Sequence, residues 1–306
     1  MRSTWVSFLA LTFCFPALLA AETFRVATYN VENYLDHATE TRPHPKTDAA
    51  KAKIRESIRA LKPDVLALQE MGTLSALMEL RDSLKSEGLD FRYWEHVTGF
   101  DTNIHVAVLS RFPFIARRPH TNETFLLSGR RFHVSRGFLE VEIKVNPSYS
   151  FTLMTAHLKS KRPVGEADEA EQRLEEAKVL RNIIEADFAA NPRLNLIVLG
   201  DLNDTYNSPP LKTVIGRGKT KLVDLRPAER NGDNLPNPNP AYKPRDVTWT
   251  HYYGIEDTYS RIDYMLLSPG MAREWLPNET YVLTLPNWGL GSDHRPLVAT
   301  FETEEK

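Results

Sequence analysis

The chain has 306 residues, 42% of them hydrophobic, 10% aromatic and 25% charged, with a formal net charge of -2 at pH 7. This composition excludes a disordered or fibrous chain and is enough for one large core, read here as a single domain. The slightly acidic total excludes a polycation built to coat nucleic acid, so any grip on phosphate has to be local.

Residues 1–21, "MRSTWVSFLALTFCFPALLAA", hold Arg2, an apolar stretch from Trp5 to Leu19 and then small residues. This is the layout of a secretory signal peptide. The stretch is shorter than the roughly 20 apolar residues of a membrane span and contains Pro16, so no span is expected after cleavage. Residues 22–306 are then an exported domain, periplasmic or secreted. The one cysteine, Cys14, lies in the signal, so the mature chain has no disulfide, thiolate ligand or cysteine nucleophile. Loss of Arg2 takes the formal charge from -2 to -3.

Along the mature chain, "TFRVATYNV" is the first predicted strand, and Asn30 stands at its end. A helix follows with Asp48 as the expected N-cap; Ile54, Ile58 and Leu61 lie at helical spacing, and it ends before Pro63. "DVLALQE" closes on Glu70, "HVAVLSRFP" and "GFLEVEIKV" follow, and "YSFTLMTAHL" reaches His157. A second helix spans about Glu166 to Ala190, with Leu174, Leu180, Ile183, Ile184 and Phe188 inward and charges outward. "LNLIVLGDLN" ends on Asp201 and Asn203. Residues 231–246, "NGDNLPNPNPAYKPRD", read as a long loop: a lid, a substrate-selecting loop or a tolerated insertion. Asp263 opens "DYMLLS", and Asp293 and His294 precede the last strand, "PLVATF". Short alternating strands outnumber helices, which fits an α+β, four-layer α/β/β/α sandwich of two mainly antiparallel sheets flanked by helices.

Polar residues capable of chemistry thus recur at strand ends, where a sandwich brings distant residues to one rim. Each has a plainer reading taken alone. Asn30 can cap a turn, Glu70 can be a solvated strand end, His157 a core histidine, Asp201 and Asn203 an Asx-turn, and Asp263 a partner of Arg261. Together they outweigh those readings, because one protein seldom buries so many polar ends with nothing to satisfy them. Carboxylates, a carboxamide and imidazoles without thiolates suit a hard divalent cation, Mg²⁺ or Mn²⁺, acting on phosphate.

"ATYNVENY", "DVLALQEM", "TAHLKS", "VLGDLND", "SRIDYMLLS" and "GSDHRPLVA" resemble, in order and spacing, the motifs of the endonuclease/exonuclease/phosphatase superfamily over residues 24–301. That superfamily includes pancreatic-type deoxyribonucleases, exonuclease III-like repair enzymes, sphingomyelinases and inositol polyphosphate phosphatases. The resemblance implies Glu70 as principal metal ligand, Asn30 and Glu32 in the ion and phosphate shell, and Asp293 as a second carboxylate at the metal. It implies His294 as the catalytic histidine oriented by Asp263, Asp201 as the group that positions or deprotonates water, and Asn203 as a donor to the phosphoryl oxygen. His157 resembles the second histidine of the deoxyribonuclease branch, where repair-type members have tyrosine. Arg136, for its guanidinium fork, and Lys159 are further candidates for phosphate. The expected activity is a metal-dependent phosphodiesterase, a nuclease acting on DNA or RNA as a monomer. The alternatives are a phosphohydrolase acting on a lipid headgroup or sugar phosphate and, in a different class, a non-catalytic binding module.

Overall fold

The computed structural model describes residues 22–163, 165, 167–229 and 248–303. The expected signal peptide and the loop at 231–246 lie outside the described residues. The chain runs through β1 (Thr23–Tyr34), α1 (Asp48–Leu61), β2 (Val65–Met71), α2 (Leu74–Ser86), β3 (Tyr93–Val97) and β4 (His105–Ser110). It continues with β5 (Phe114–His120), the hairpin of β6 (Thr124–Leu127) and β7 (Arg130–His133), β8 (Phe138–Asn146) and β9 (Tyr149–His157). Then come α3 (Glu169–Ala190), β10 (Leu196–Asp201), α4 (Pro209–Ile215), β11 (Val223–Asp224) and β12 (Ala228–Glu229). The remainder holds the hairpin of β13 (His251–Tyr253) and β14 (Thr258–Ser260), then β15 (Asp263–Leu267), β16 (Trp275–Val282) and β17 (Leu297–Glu302).

Two large sheets result, a seven-stranded one in the order β12-β16-β17-β1-β2-β4-β3 and a six-stranded one in the order β11-β15-β10-β9-β8-β5. Both are antiparallel apart from a central parallel pair in each, β1 with β2 and β9 with β10, and the short edge pair of β12 with β16. A parallel pair needs a crossover, and α1 and α3 supply the two. Parallel strands finish on the same side, so Asn30 pairs in register with Gln69, next to Glu70, and Asp201 pairs with His157. This topology brings four strand ends to one rim.

Strand alternation builds the layers. On β1 and β10, Phe24, Val26, Ile197 and Leu199 pack into the core between the sheets. Their neighbours Ala27 and Tyr29 face α1 and α2, beside Ile54, Ile58, Leu77 and Leu80. Leu196 and Val198 likewise face α3 and α4, beside Leu180, Ile184, Leu211 and Val214. Burying each such large apolar side chain contributes about 1.5–3 kcal/mol. The four-layer α/β/β/α sandwich is therefore observed. Among the described residues, no helix is long and apolar enough to cross a membrane.

Two helix expectations need correction. The N-cap of α1 is Thr47, whose hydroxyl accepts from Ala50 N, while Asp48 is the first helical residue. A carboxylate there still meets the positive end of the helix dipole. In α3, which starts at Glu169 behind the N-cap Asp168, Leu180, Ile184 and Phe188 are buried, but Leu174 and Ile183 are only half-buried. The N-terminal half instead buries Gln172, Arg173 and Glu176. Glu176 accepts from Ser135 N and Oγ at 2.8 and 2.7 Å and from Lys159 N at 2.6 Å. Arg173 donates to Lys159 O at 3.0 Å and to Asp204 at 3.1 Å. Those charges point inward because they tie down the loops that leave β9 and β10.

Candidate active site

The rim is made by local backbone devices. Register shifts interrupt the pairing of β1 with β2 between Asn30 and Tyr34, and of β2 with β4 between Leu68 and Met71. Such bulges re-aim side chains at sheet ends. Glu32, Asn33, Glu70 and Asn203 all carry positive φ, between 43° and 59°. Left-handed backbone at non-glycine residues costs of order 1–3 kcal/mol each and gathers at functional sites.

At the centre stands Asp201 Oδ2. Asn30 Nδ2 donates to it at 2.9 Å, His157 Nε2 lies 3.6 Å away and His294 Nε2 3.7 Å away. Asn30 Nδ2 also lies 3.3 Å from Glu70 Oε1, whose second oxygen accepts from Asn33 N at 2.9 Å. His157 Nε2 is 3.9 Å from Glu70 Oε1, and His157 Nδ1 has no hydrogen-bond partner among the described residues. His294 Nδ1 and Asp263 Oδ2 are 2.8 Å apart and buried. Arg261 pairs through both nitrogens with Asp224, at 2.9 and 2.6 Å, which leaves Asp263 to His294. Ser292 Oγ donates to Asn30 O at 2.7 Å and accepts from His294 N at 3.0 Å, locking the approach to β17 onto β1. Asp263 N donates to Thr250 Oγ1 at 3.1 Å.

This crowding separates the charges. Burial, followed by the Asp263 carboxylate, pushes Asp201 up to about 7. Burial opposes charge on His294 as well, but Asp263 and Asp201 outweigh it and hold the imidazolium well above the ordinary histidine range. His157, buried and next to the Arg136 guanidinium, is pushed well below 6.5 and is neutral at pH 7. Asp293 is lowered: burial raises it, but the His251 and His294 imidazoles prevail. Neighbouring groups with pKa values driven apart are a mark of acid–base sites.

Glu32, Glu70 and Asp293 surround Lys46, which is 3.5 Å from Glu32 Oε2 and donates to Val31 O at 3.0 Å and Gly291 O at 2.6 Å. Burial, with Asp293 and Glu70 nearby, raises Glu32. Mutually repelling carboxylate oxygens are a donor set that fits Mg²⁺ or Mn²⁺. The tightest three-donor groups among the described residues lie beside it, Asp201 with Asp263 and His294, and His251 with Asp293 and His294.

Asn30, Glu70, His157, Asp201, Asp263 and His294 are therefore brought together, with Glu32 and Asp293 at the edge. Asn203 flanks the centre; its N–H donates to Asp201 Oδ1 at 2.9 Å, but its side-chain amide is engaged by Leu158 O at 3.0 Å. Arg136 is buried beside His157, donates to Leu158 O at 3.3 Å and sits 3.7 Å from Asp101. Lys159 stands apart, its ammonium held by the carbonyls of Ser160 and Arg162. Lys46, Arg42, Asp101, Thr250 and Ser292 were not foreseen. Arg42 donates to Asn33 Oδ1 at 2.7 Å and lies 3.5 Å from Asp101, the carboxylate that Arg136 also approaches. None of the five belongs to an apolar strand run, so strand-end position gave no signal for them.

No curated protein matches the sequence significantly. Among solved structures, an endonuclease/exonuclease/phosphatase family protein from Bacteroides thetaiotaomicron shares 17% identity at a TM-score of 0.58, covering 93% of this chain and 99% of its own. The human Nocturnin catalytic domain, solved with a bound sulfate anion, shares 16% at 0.59, covering 92% and 98%. Sphingomyelinase C from Streptomyces griseocarneus shares 18% at 0.60, covering 92% and 99%. These likenesses establish the fold. The Endonuclease/Exonuclease/phosphatase family model matches residues 27–294, the span that carries every member of the rim, and the chain belongs to that family.

Proposed function

We propose that the chain is an exported, divalent-metal-dependent phosphodiesterase, a nuclease that cleaves DNA or RNA as a monomer by in-line attack of water on phosphorus. The observation that carries this reading is the convergence of the Asn30 amide and both histidine Nε2 atoms on one oxygen of Asp201. A carboxylate with a pKa near 7 is matched to taking a proton from water at neutral pH. His294, kept charged by Asp263, stabilises the negative charge that grows on the phosphoryl oxygens. Neutral His157 and the nearby Arg136 and Arg42 hold the substrate phosphate in line. Glu70, with Asn30, Glu32 and Asp293, would hold the ion, which when bound supplies charge neutralisation at the phosphate.

A second reading keeps the chemistry and changes the substrate to a lipid headgroup. The similarity to a sphingomyelinase C supports it, as do two exposed apolar side chains on the β13–β14 hairpin, Ile255 at its tip, 83% exposed, and Tyr259 on β14, 56% exposed. Purified protein is to be assayed with Mg²⁺, Mn²⁺ or EDTA against single- and double-stranded DNA, RNA, sphingomyelin and a phosphate monoester. Metal-dependent cleavage of nucleic acid is expected, falling roughly 10²–10⁴-fold in His294→Ala and in Glu70→Ala while both variants stay folded. Full activity of either variant rules the mechanism out.

A further inference from the structure

One histidine of the rim has no part in that chemistry. His251, on β13, is bridged in the ladder to His294, and the adjacent Tyr252 N donates to Asp293 O at 3.0 Å. Arg295 N donates to Thr250 O at 2.7 Å, so the hairpin and the catalytic segment are joined on both sides. His251 Nε2 lies 3.6 Å from Asp293 Oδ2, and Asp293 Oδ1 lies 3.8 Å from His294 Nε2. One donor atom from each of the three falls within 4.8 Å of the others.

We propose that His251, Asp293 and His294 form a second, transition-metal site of Zn²⁺ type whose occupation shuts the active site off. Donors about 2.05 Å from an ion at the tetrahedral angle stand roughly 3.3–3.4 Å apart. The two measured edges end on different oxygens of Asp293, so a turn of that carboxylate that brings one oxygen toward both imidazoles closes the set. Two imidazole nitrogens and one carboxylate select zinc-like ions and are poor ligands for Mg²⁺. The second coordination layer is already present. His294 Nδ1 is hydrogen-bonded to buried Asp263 at 2.8 Å, which leaves Nε2 as the ligand nitrogen, the carboxylate–histidine arrangement common behind zinc. The side chain of Asp293 is 40% exposed and that of His251 16% exposed, so a fourth position is open to water. An ion there displaces the Nε2 proton of the His294 imidazolium, which leaves to solvent, so binding releases one proton; it occupies that nitrogen and turns Asp293 away from the Glu70 side. The inhibitory consequence rests on the phosphodiesterase reading; the binding does not.

Co²⁺ is the probe, titrated into the full chain in excess Mg²⁺ without substrate and followed by visible absorption. The wild type is expected to develop the intense bands of a four-coordinate ion, to saturate at one equivalent and to lose them to Zn²⁺. His251→Gln should bind at least the roughly 10–100-fold more weakly that even the loss of an outer partner costs a metal site. His251→Cys, which restores a donor, should bind again and add a thiolate-to-cobalt band. In the Mg²⁺-dependent assay, Zn²⁺ should inhibit the wild type, with a correspondingly weaker midpoint in His251→Gln when each protein is scaled to its own zinc-free rate. A weak six-coordinate spectrum in the wild type, or an unchanged zinc midpoint in His251→Gln, overturns the proposal. Hydrolysis without cobalt binding removes this site and leaves the phosphodiesterase standing; cobalt binding without hydrolysis does the reverse.

Discussion

Individual side chains at the rim divide their atoms between two tasks. Asp201 closes an Asx-turn with Oδ1, which accepts from Asn203 N at 2.9 Å, and presents Oδ2 to Asn30 and the two histidines. Asn30 does the same: Oδ1 accepts from Glu32 N at 3.0 Å while Nδ2 reaches Asp201. The turn and the catalytic readings of these residues, which compete in the sequence, are both realised because each side chain has two polar atoms. Holding Asp201 there costs stability. Its pKa rises from 3.8 unfolded to about 7 folded, so the folded state keeps a proton that the unfolded state releases. Stability is therefore lost as pH climbs through that window, and the penalty stays constant above it. Asp201→Asn carries no such penalty. Its melting temperature in EDTA should match the wild type near pH 4 and exceed it increasingly toward pH 7–8, while activity falls roughly 10²–10⁴-fold. His294 works against this: its raised pKa contributes stability fully present below 6.5 and lost as pH rises through the folded value, and the variant removes one of its carboxylate partners. Asp263, the larger partner, remains, so the net sign should hold. A melting difference that is flat with pH would show that Asp201 is not held at a raised pKa.

Elements deliver those residues through tight backbone contacts, most clearly in β10. Gly200, one residue before Asp201, has φ of +127°, and a Cβ there would meet Ala156 O at 2.1 Å. Ala156 precedes His157, so the absence of a side chain sets how closely the two parallel strands carrying His157 and Asp201 approach. Gly200→Ala combines backbone strain with a clash against main chain and should cost roughly 2–5 kcal/mol in urea unfolding. Gly289→Ala, at a position with open space and an ordinary φ, should stay within about 0.5 kcal/mol; equal effects at both sites would refute the close-approach argument. Elements of this buried kind were legible from sequence because their apolar runs are continuous. Those that escaped include the edge strand β5, "FIARRPH", and β16, "WLPNETYV", which only the two-residue β12 covers on its outer side; solvent-facing positions and Pro119 or Pro277 break the pattern there. The helix α2 carries a readable signal, Thr73 as N-cap with Ala76, Leu77, Leu80 and Leu84 on one face, but it is set among strand runs.

For the molecule as a whole, the sandwich explains why the site was largely legible and its rim less so. Glu70, His157, Asp201, Asp263 and His294 sit at or within three residues of a strand end, and closing two sheets onto one core fixes where strand ends go. Asn30 instead lies inside β1, which runs on to Tyr34, at the point where its register with β2 breaks. Lys46, Arg42 and Asp101 arrive on irregular segments whose paths no periodicity encodes. Those paths also set how strongly the protein can hold a polyanion. The chain has 38 Lys and Arg against 40 Asp and Glu, so no global field draws nucleic acid in. Near the site, Arg42 and Arg136 share Asp101, Arg173 is paired with Asp204, and the ammonium of Lys159 is engaged by carbonyls. With Arg173 and Lys159 tied down, the proposed phosphate contacts are Arg42, Arg136 and the His294 imidazolium, about two or three for a nucleic-acid substrate. With each contact giving a slope of about -0.9 in log affinity against log salt, raising salt from about 50 to 200 mM should weaken KM for duplex DNA roughly 10–40-fold. That is far below the roughly 10³–10⁵ of proteins that clamp six to ten phosphates. Measuring KM for DNA and for sphingomyelin vesicles across that range separates the two substrate readings. A slope near -2 to -3 on DNA supports the nuclease. A flat response on DNA, with brisk turnover of vesicles, assigns the rim to a lipid headgroup and makes the exposed β13–β14 tip its membrane contact.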